Sequence, residues 1–317
     1  VLAEVVRSGF VESRHRGSVL VLAADGQPAW SVGEVTAPMF PRSASKPIQA
    51  AAMLRCGLDL DGKLLALAAA SHSGEDFHVA GVREILSRAG VPESALQCPP
   101  ALPMDEAAQR EILSRGGGPD RVHMNCSGKH AAMLASCVVA GWPTSSYRDP
   151  GHPLQVAIRA TIEDLAGELV AATGVDGCGA PLFSLSLTGL ARALQAMVTA
   201  SPATPERKVA DAMRAYPEWT SGTRRSERAL MAAVPGLLVK SGAEGVDGLA
   251  LADGRVVAVK IEDGAARARP PVAVALLRRL GVTTGPGVAD ATLDEIASAP
   301  VMGGEEAVGW VRAALPS

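Results

Sequence analysis

Aromatic residues make up only 3% of this 317-residue chain. Bases and sugars are gripped by stacked rings, so a nucleic-acid or sugar platform has little to be built from. Charge of one sign is also lacking: the formal net charge is −3 and no basic block stands out. No nucleic-acid partner is expected. Long apolar runs are missing too. The clearest, LLALAAA at 64–70 and VAVALL at 272–277, fall well short of the roughly 18 residues that a membrane span needs. The opening VLAEVVRSGF lacks the basic-then-apolar layout of a signal peptide. A soluble, cytoplasmic protein with no membrane partner is expected. Cysteines number five and are widely spaced. An odd count in a long chain is a poor disulfide framework, which leaves reduced thiols and room for one metal site.

What is present is apolar mass. Hydrophobic residues are 48% of the chain, enough for one large core or two lobes that share one. SVLVLAADGQPAWSVGE, from 18, shows two runs around an Asp-Gly turn, a hairpin signature. Residues 43 to about 235 then read as mainly helical. In FHVAGVREILSRAG, Val79, Val82, Ile85 and Leu86 share one helical face. EAAQREIL, KHAAMLASCVV and LQVAIRATIEDLAG read as helices as well. Near 236, LLVKSGAEGVDGLALADGRVVAVKIEDG holds three short strands, and two or so helices finish the chain. Strands at both ends and helices between them predict a single domain over 1–317, of the α/β (α+β) class. The terminal strands would pair into one antiparallel sheet covered by helices, with a helical second lobe and a ligand cleft between.

Five short stretches carry polar chemistry. PRSASK places Ser43 three residues before Lys46, on one helical face. Alone, this is as readily an N-cap with Pro47 in the first turn. A neutral amine beside a serine can also take its proton, which makes a nucleophile. Lys240-Ser241-Gly242 lies on the first C-terminal strand, in a layout similar to the Lys-Thr-Gly of penicillin-binding proteins and serine β-lactamases. Ser71-His72-Ser73-Gly74-Glu75 follows an apolar helix, and an ordinary glycine stop is the plain alternative. Asn125-Cys126-Ser127-Gly128-Lys129-His130 heads a helix, and Asp176-Gly177-Cys178-Gly179-Ala180-Pro181 is a glycine-bracketed loop.

In this order, PRSASKPIQ, ASHSGE, NCSGKHAAML, DGCGAP, VKSGAEGV and VAVKIEDG resemble the rhizobial-type L-asparaginases, the asparaginase II family. The resemblance implies a β-lactamase- or glutaminase-like fold, a homodimer, and hydrolysis of L-asparagine to L-aspartate and ammonia. It implies two Ser–Lys couples, Ser43 with Lys46 and Ser71 with Lys240. It also implies a zinc ion on Cys126, Lys129 and Cys178, and substrate contacts from Arg42, His130 and Asp176. On this reading Lys46, neutral, takes the proton of Ser43, with Ser71–Lys240 as the alternative couple. Two rival readings stand beside it: a serine β-lactamase or D,D-peptidase-like acyl hydrolase, and a non-catalytic zinc-stabilised binding protein. One stretch departs from the family pattern. Residues 220–227 read Thr-Ser-Gly-Thr-Arg-Arg-Ser-Glu, where a glycine pair, arginine and aspartate are usual.

Overall fold

The chain opens with four strands: β1 (Ala3–Arg7), β2 (Phe10–His15), β3 (Gly17–Leu22) and β4 (Pro28–Val32). A computed structural model describes residues 1–282 and 290–316. A 3-10 turn over Arg42–Ser45 leads into α1 (Lys46–Arg55), followed by α2 (Gly62–Ala68) and α3 (Asp76–Arg88). Next come α4 (Glu106–Ser114), α5 (Ser127–Val139) and α6 (Pro153–Ala166). A two-stranded ribbon, β5 (Thr173–Val175) with β6 (Pro181–Phe183), interrupts the helices. The helical middle ends with α7 (Leu187–Thr199), α8 (Pro205–Ala215), α9 (Pro217–Thr220) and α10 (Ser226–Ala233). Strands β7 (Leu238–Gly242), β8 (Val246–Ala250) and β9 (Val256–Ile261) follow. Helices α11 (Arg269–Arg279) and α12 (Asp290–Ala297) precede β10 (Ala299–Gly303) and β11 (Glu306–Ala313).

Strands from the two ends of the chain do pair antiparallel, but into two sheets rather than one. A five-stranded sheet runs β4-β3-β9-β8-β7, and a four-stranded sheet runs β10-β11-β1-β2. The final hairpin also corrects the expectation that helices finish the chain. Its signal is a Gly303-Gly304 turn followed by the β-branched Val308 and Val311, in a run otherwise broken by Pro300 and small residues. β11 pairs with β1 from Ala3↔Ala313 to Arg7↔Gly309, so the first and last strands lie side by side.

The five-stranded sheet is covered on both faces, which explains its near-continuous apolar strands. Leu20, Leu22 and Ala258 face one core with Leu194 of α7. Val19, Val21, Val257 and Val259 face the other with Val272 and Leu276 of α11. Period-two alternation sends neighbouring residues into different cores. Among the helices, α1 is buried from Lys46 to Met53. Its alanines let neighbouring helices approach closely. The four residues placed on one face of α3 are all buried. No helix among the described residues is long and apolar enough to cross a membrane.

Candidate active site

β7 is an edge strand of the five-stranded sheet. The 3-10 turn before α1 covers that edge, close enough that a side chain at Gly242 would strike the Pro41 carbonyl. This packing brings the start of α1 to the middle of β7. The segment after α2 lies alongside, because the Ser71 N–H bonds the Thr220 carbonyl at 3.2 Å and the His72 N–H bonds the Asn125 carbonyl at 3.1 Å.

Ser71 sits between two lysines. Lys46 Nζ lies 3.0 Å from its Oγ and Lys240 Nζ lies 2.9 Å from it. The two amines differ in their other partners. Lys46 Nζ also reaches the Ala70 carbonyl at 2.7 Å and Cys126 Sγ at 3.0 Å. Three acceptors match the three N–H groups of an ammonium. Lys240 Nζ has one further acceptor, the Ser241 carbonyl at 2.8 Å. A neutral amine fits there: one N–H on the carbonyl, the lone pair toward the Ser71 hydroxyl. Burial, then the nearby Lys46 charge, hold Lys240 well below the ordinary lysine range. Ser71 Oγ thus lies within hydrogen-bond distance of both amines, and the lowered Lys240 is the one suited to accept its proton.

Lys46 hydrogen-bonds Ser71, whereas among the described residues no hydrogen bond joins it to Ser43. Ser43 and Lys46 share the helix start, but the Lys46 side chain is fully buried and points to the end of α2. Ser43 is half-buried, and among the described residues its hydroxyl has no hydrogen-bond partner. The reason is the acceptor supply: a buried ammonium goes where three acceptors converge, and a single exposed-side hydroxyl cannot compete.

The thiol cluster adjoins this triad through Cys126. Lys129 Nζ is 3.3 Å from Cys178 Sγ, and all three of Cys126, Lys129 and Cys178 are buried. The Cys126 thiol donates to Asn125 Oδ1 at 3.2 Å. Its closeness to Cys178, with Lys129 assisting, holds Cys178 well below the ordinary thiol range despite burial. The Cys178 sulfur beside it, together with burial, raises Cys126 and keeps it a thiol. Burial alone would depress Lys129, yet the sulfurs of Cys178 and Cys126 raise it. Two soft sulfurs and one amine suit zinc. Among the described residues no group of three or more His, Cys, Asp or Glu side chains could hold a metal, so Lys129 is needed as the third donor.

The expected substrate contacts divide. Arg42 Nε pairs with Asp176 Oδ1 at 2.8 Å, beside a cavity of about 380 Å³ that Phe40, Val175, Glu244 and Lys260 also line. Arg42 holds a left-handed φ of 51°, a rare backbone state for a side chain of this size. Asp176 Oδ2 lies 3.8 Å from Cys178 Sγ, which joins this pair to the thiols. His130 is deeper. Its Nδ1 meets the Tyr147 hydroxyl at 2.6 Å, while its buried Nε2 has no partner. Burial keeps its ring neutral.

Several residues were not anticipated. His72 accepts from the Gly74 N–H at Nδ1, so its Nε2 carries the proton and donates to Ser127 Oγ at 2.8 Å. This bond ties the Ser71 segment to the start of α5. Glu227, Asp247 and Arg269 form a buried ion cluster behind β7, with Arg269 Nη1 2.6 Å from Asp247. A charge in the strand sequence LLVKSGAEGVDGLALA was its only signal.

A model of the L-asparaginase II family matches residues 3–313. No curated protein matches the chain. Among solved structures, Mglu in its native form is 16% identical with a TM-score of 0.46, over 86% of this chain and 66% of its own. The chain thus spans just under two thirds of Mglu. A β-lactamase from Mycobacterium bovis is 12% identical at a TM-score of 0.46, covering 83% of this chain and 94% of its own. A Bacillus glutaminase is 13% identical at 0.39, covering 84% and 91%.

Proposed function

From the premise that this chain belongs to the L-asparaginase II family, we propose that it hydrolyses L-asparagine to L-aspartate and ammonia. The observation that carries the mechanism is the Ser71 hydroxyl held between Lys46 and Lys240. Lys240 accepts the Ser71 proton, and the oxygen attacks the side-chain amide carbon. The Lys46 ammonium offsets the charge that develops on that oxygen. The tetrahedral intermediate collapses, the C–N bond breaks, and the leaving nitrogen takes the proton from Lys240 as ammonia departs. Water then gives a proton to Lys240 and attacks the acyl carbon; the C–O bond to Ser71 breaks, Lys240 returns the proton to Ser71 Oγ, and aspartate leaves. Arg42 suits the α-carboxylate and Asp176 the α-ammonium, so a zwitterionic amino acid matches their paired charges.

Cys126, Lys129 and Cys178 would hold a zinc ion, which as a Lewis acid polarises an oxygen placed against it. The Ser–Lys proton transfer does not pass through that site. Lys129 would give up its proton on metal binding, and the thiolate of Cys178 is ready as a ligand.

One observation favours a second assignment of the nucleophile. Ser43 adjoins Arg42, and its hydroxyl is unengaged. Ser43 would then attack, with Ser71 passing the proton to Lys240. Mass mapping of a trapped acyl-enzyme decides: an adduct on Ser71 supports the first assignment, one on Ser43 the second. The overall function is tested by ammonia release from asparagine, glutamine and a β-lactam control. Asparagine turnover supports the proposal. β-Lactam turnover alone favours the acyl-hydrolase reading. Ligand binding with no turnover favours a binding protein.

A further inference from the structure

Segment 220–227, where the sequence leaves the family pattern, carries two paired charges of opposite sign into the start of α10, which packs on β7. Arg225 is the N-cap of α10, and Glu227 lies in its first turn, 5% exposed. Arg225 Nη2 is 3.3 Å from Glu227 Oε1. Arg269 Nη1 holds the same carboxylate oxygen at 3.8 Å and Asp247 at 2.6 Å. Ser241 links this cluster to the base. Its carbonyl accepts from Lys240 Nζ at 2.8 Å. Asp247 stands directly across from Ser241 in the β7–β8 register. The cluster thus grips β7 on the side of Lys240 away from Ser71.

We propose that Arg225 and Glu227 are positioning residues for Lys240: as an opposed pair they set the charge the base meets from behind and keep the Ser71–Lys240 couple aligned. This rests on the assignment of Lys240 as the proton acceptor. The charged groups that act on Lys240 are Lys46 from α1 and, from the start of α10, Arg225 and Glu227. Lys46 and Arg225 favour the neutral amine, while Glu227 opposes it. The two α10 charges can each be altered without touching the Ser71 hydrogen bonds. Glu227 is itself held to about 2, since the guanidinium groups of Arg225 and Arg269 outweigh its burial, so it carries full charge across the working range. Asp247 differs: burial raises it, in spite of Arg269.

The test is the acid limb of the rate against pH for the full-length protein, read in four variants. Glu227→Gln removes a negative charge, favours neutral Lys240, and should move the limb to lower pH by about half a unit or more. Arg225→Gln should move it to higher pH by a similar amount. Glu227→Asp and Arg225→Lys keep the charges and should return the limb toward its original position. Loss of packing alone would lower the rate without opposed shifts. Limbs that stay in place, or move the same way, in folded variants overturn the proposal. Ser71→Ala and Lys240→Met are run in parallel. If they retain turnover, the assignment of the base has failed instead. If Glu227→Gln does not fold, the half-exposed Arg225 still decides through its own pair of variants.

Discussion

At the scale of single residues, the site depends on one buried amine staying neutral. Ser71→Ala and Lys240→Met should each cut ammonia release by about a thousandfold or more, and the double variant should be little worse than either. Steady-state kinetics on protein with an unchanged circular dichroism spectrum checks this, and a loss below about tenfold would refute the couple. Lys240→Met should also stabilise the fold while it removes activity, because a well-packed apolar chain replaces a desolvated amine. The sign follows from linkage. A lysine whose folded value is depressed binds fewer protons folded than unfolded. Stability of the wild type should therefore rise with pH, from the depressed value up to the ordinary lysine range near ~10.4, and the variant should lose that rise. Denaturant melts at several pH values give both curves. The residue types at this site were legible in the sequence. Their pairing was not, because Lys46 could reach its own turn or a neighbouring segment equally well.

At the scale of elements, two glycines show how the site is assembled. Gly128 lies in the first turn of α5, and a Cβ there would fall 2.5 Å from the Leu67 carbonyl of α2. That contact sets the spacing between the Cys126 end of α5 and the Ser71 segment. Gly128→Ala should destabilise by about 1–3 kcal/mol through overpacking, and should lower kcat as Ser71 is pushed from its lysines. Thermal melts and kinetics on the same sample test it; an unchanged melting temperature would contradict the close approach. Gly222 has φ 148°, and a side chain there would collide with Ser73 Oγ. Around it, Thr223 bonds Glu75 twice and Arg224 grips Asp105 with a fork. Asp105 also caps α4 through the Ala107 and Ala108 N–H groups. The divergent loop is thus fastened on both flanks. A glycine in the sequence suggested a turn; which neighbour it spares is a matter of packing.

At the scale of the molecule, the two sheets meet at Leu2. It is fully buried, its N–H bonds the His15 carbonyl, and its carbonyl accepts from the Ala314 N–H. It belongs to the core on the α11 face of the five-stranded sheet. Leu2→Ala should cost about 2–5 kcal/mol while activity per folded molecule stays near wild type, because Lys46 and Lys240 lie outside the core that holds Leu2. Equilibrium unfolding followed by titration of active sites separates the two effects. The zinc proposal belongs to this scale as well, since the donors come from α5 and the 176–181 loop. Protein purified without chelator should carry about one zinc per chain, and Cys178→Ser should lose it. Elemental analysis below about 0.2 per chain, with no uptake on adding zinc, would overturn the ligand set.

The sequence by itself determined the order of the motifs, the β-hairpins at Asp25-Gly26 and Asp253-Gly254, the helical middle and the apolar faces that bury it. These follow from local rules: turn chemistry, side-chain periodicity and the fixed geometry of strand and helix. Only the tertiary structure decided that the terminal strands make two sheets. It alone decided that Ser71 rather than Ser43 lies between the lysines, and that Glu227 pairs with Arg225 at the start of α10. The physical reason is that protonation and hydrogen bonding depend on which groups meet in the folded chain. Ser71 and Lys240 are 169 residues apart in sequence and 2.9 Å apart in space, and no local pattern specifies such a distance.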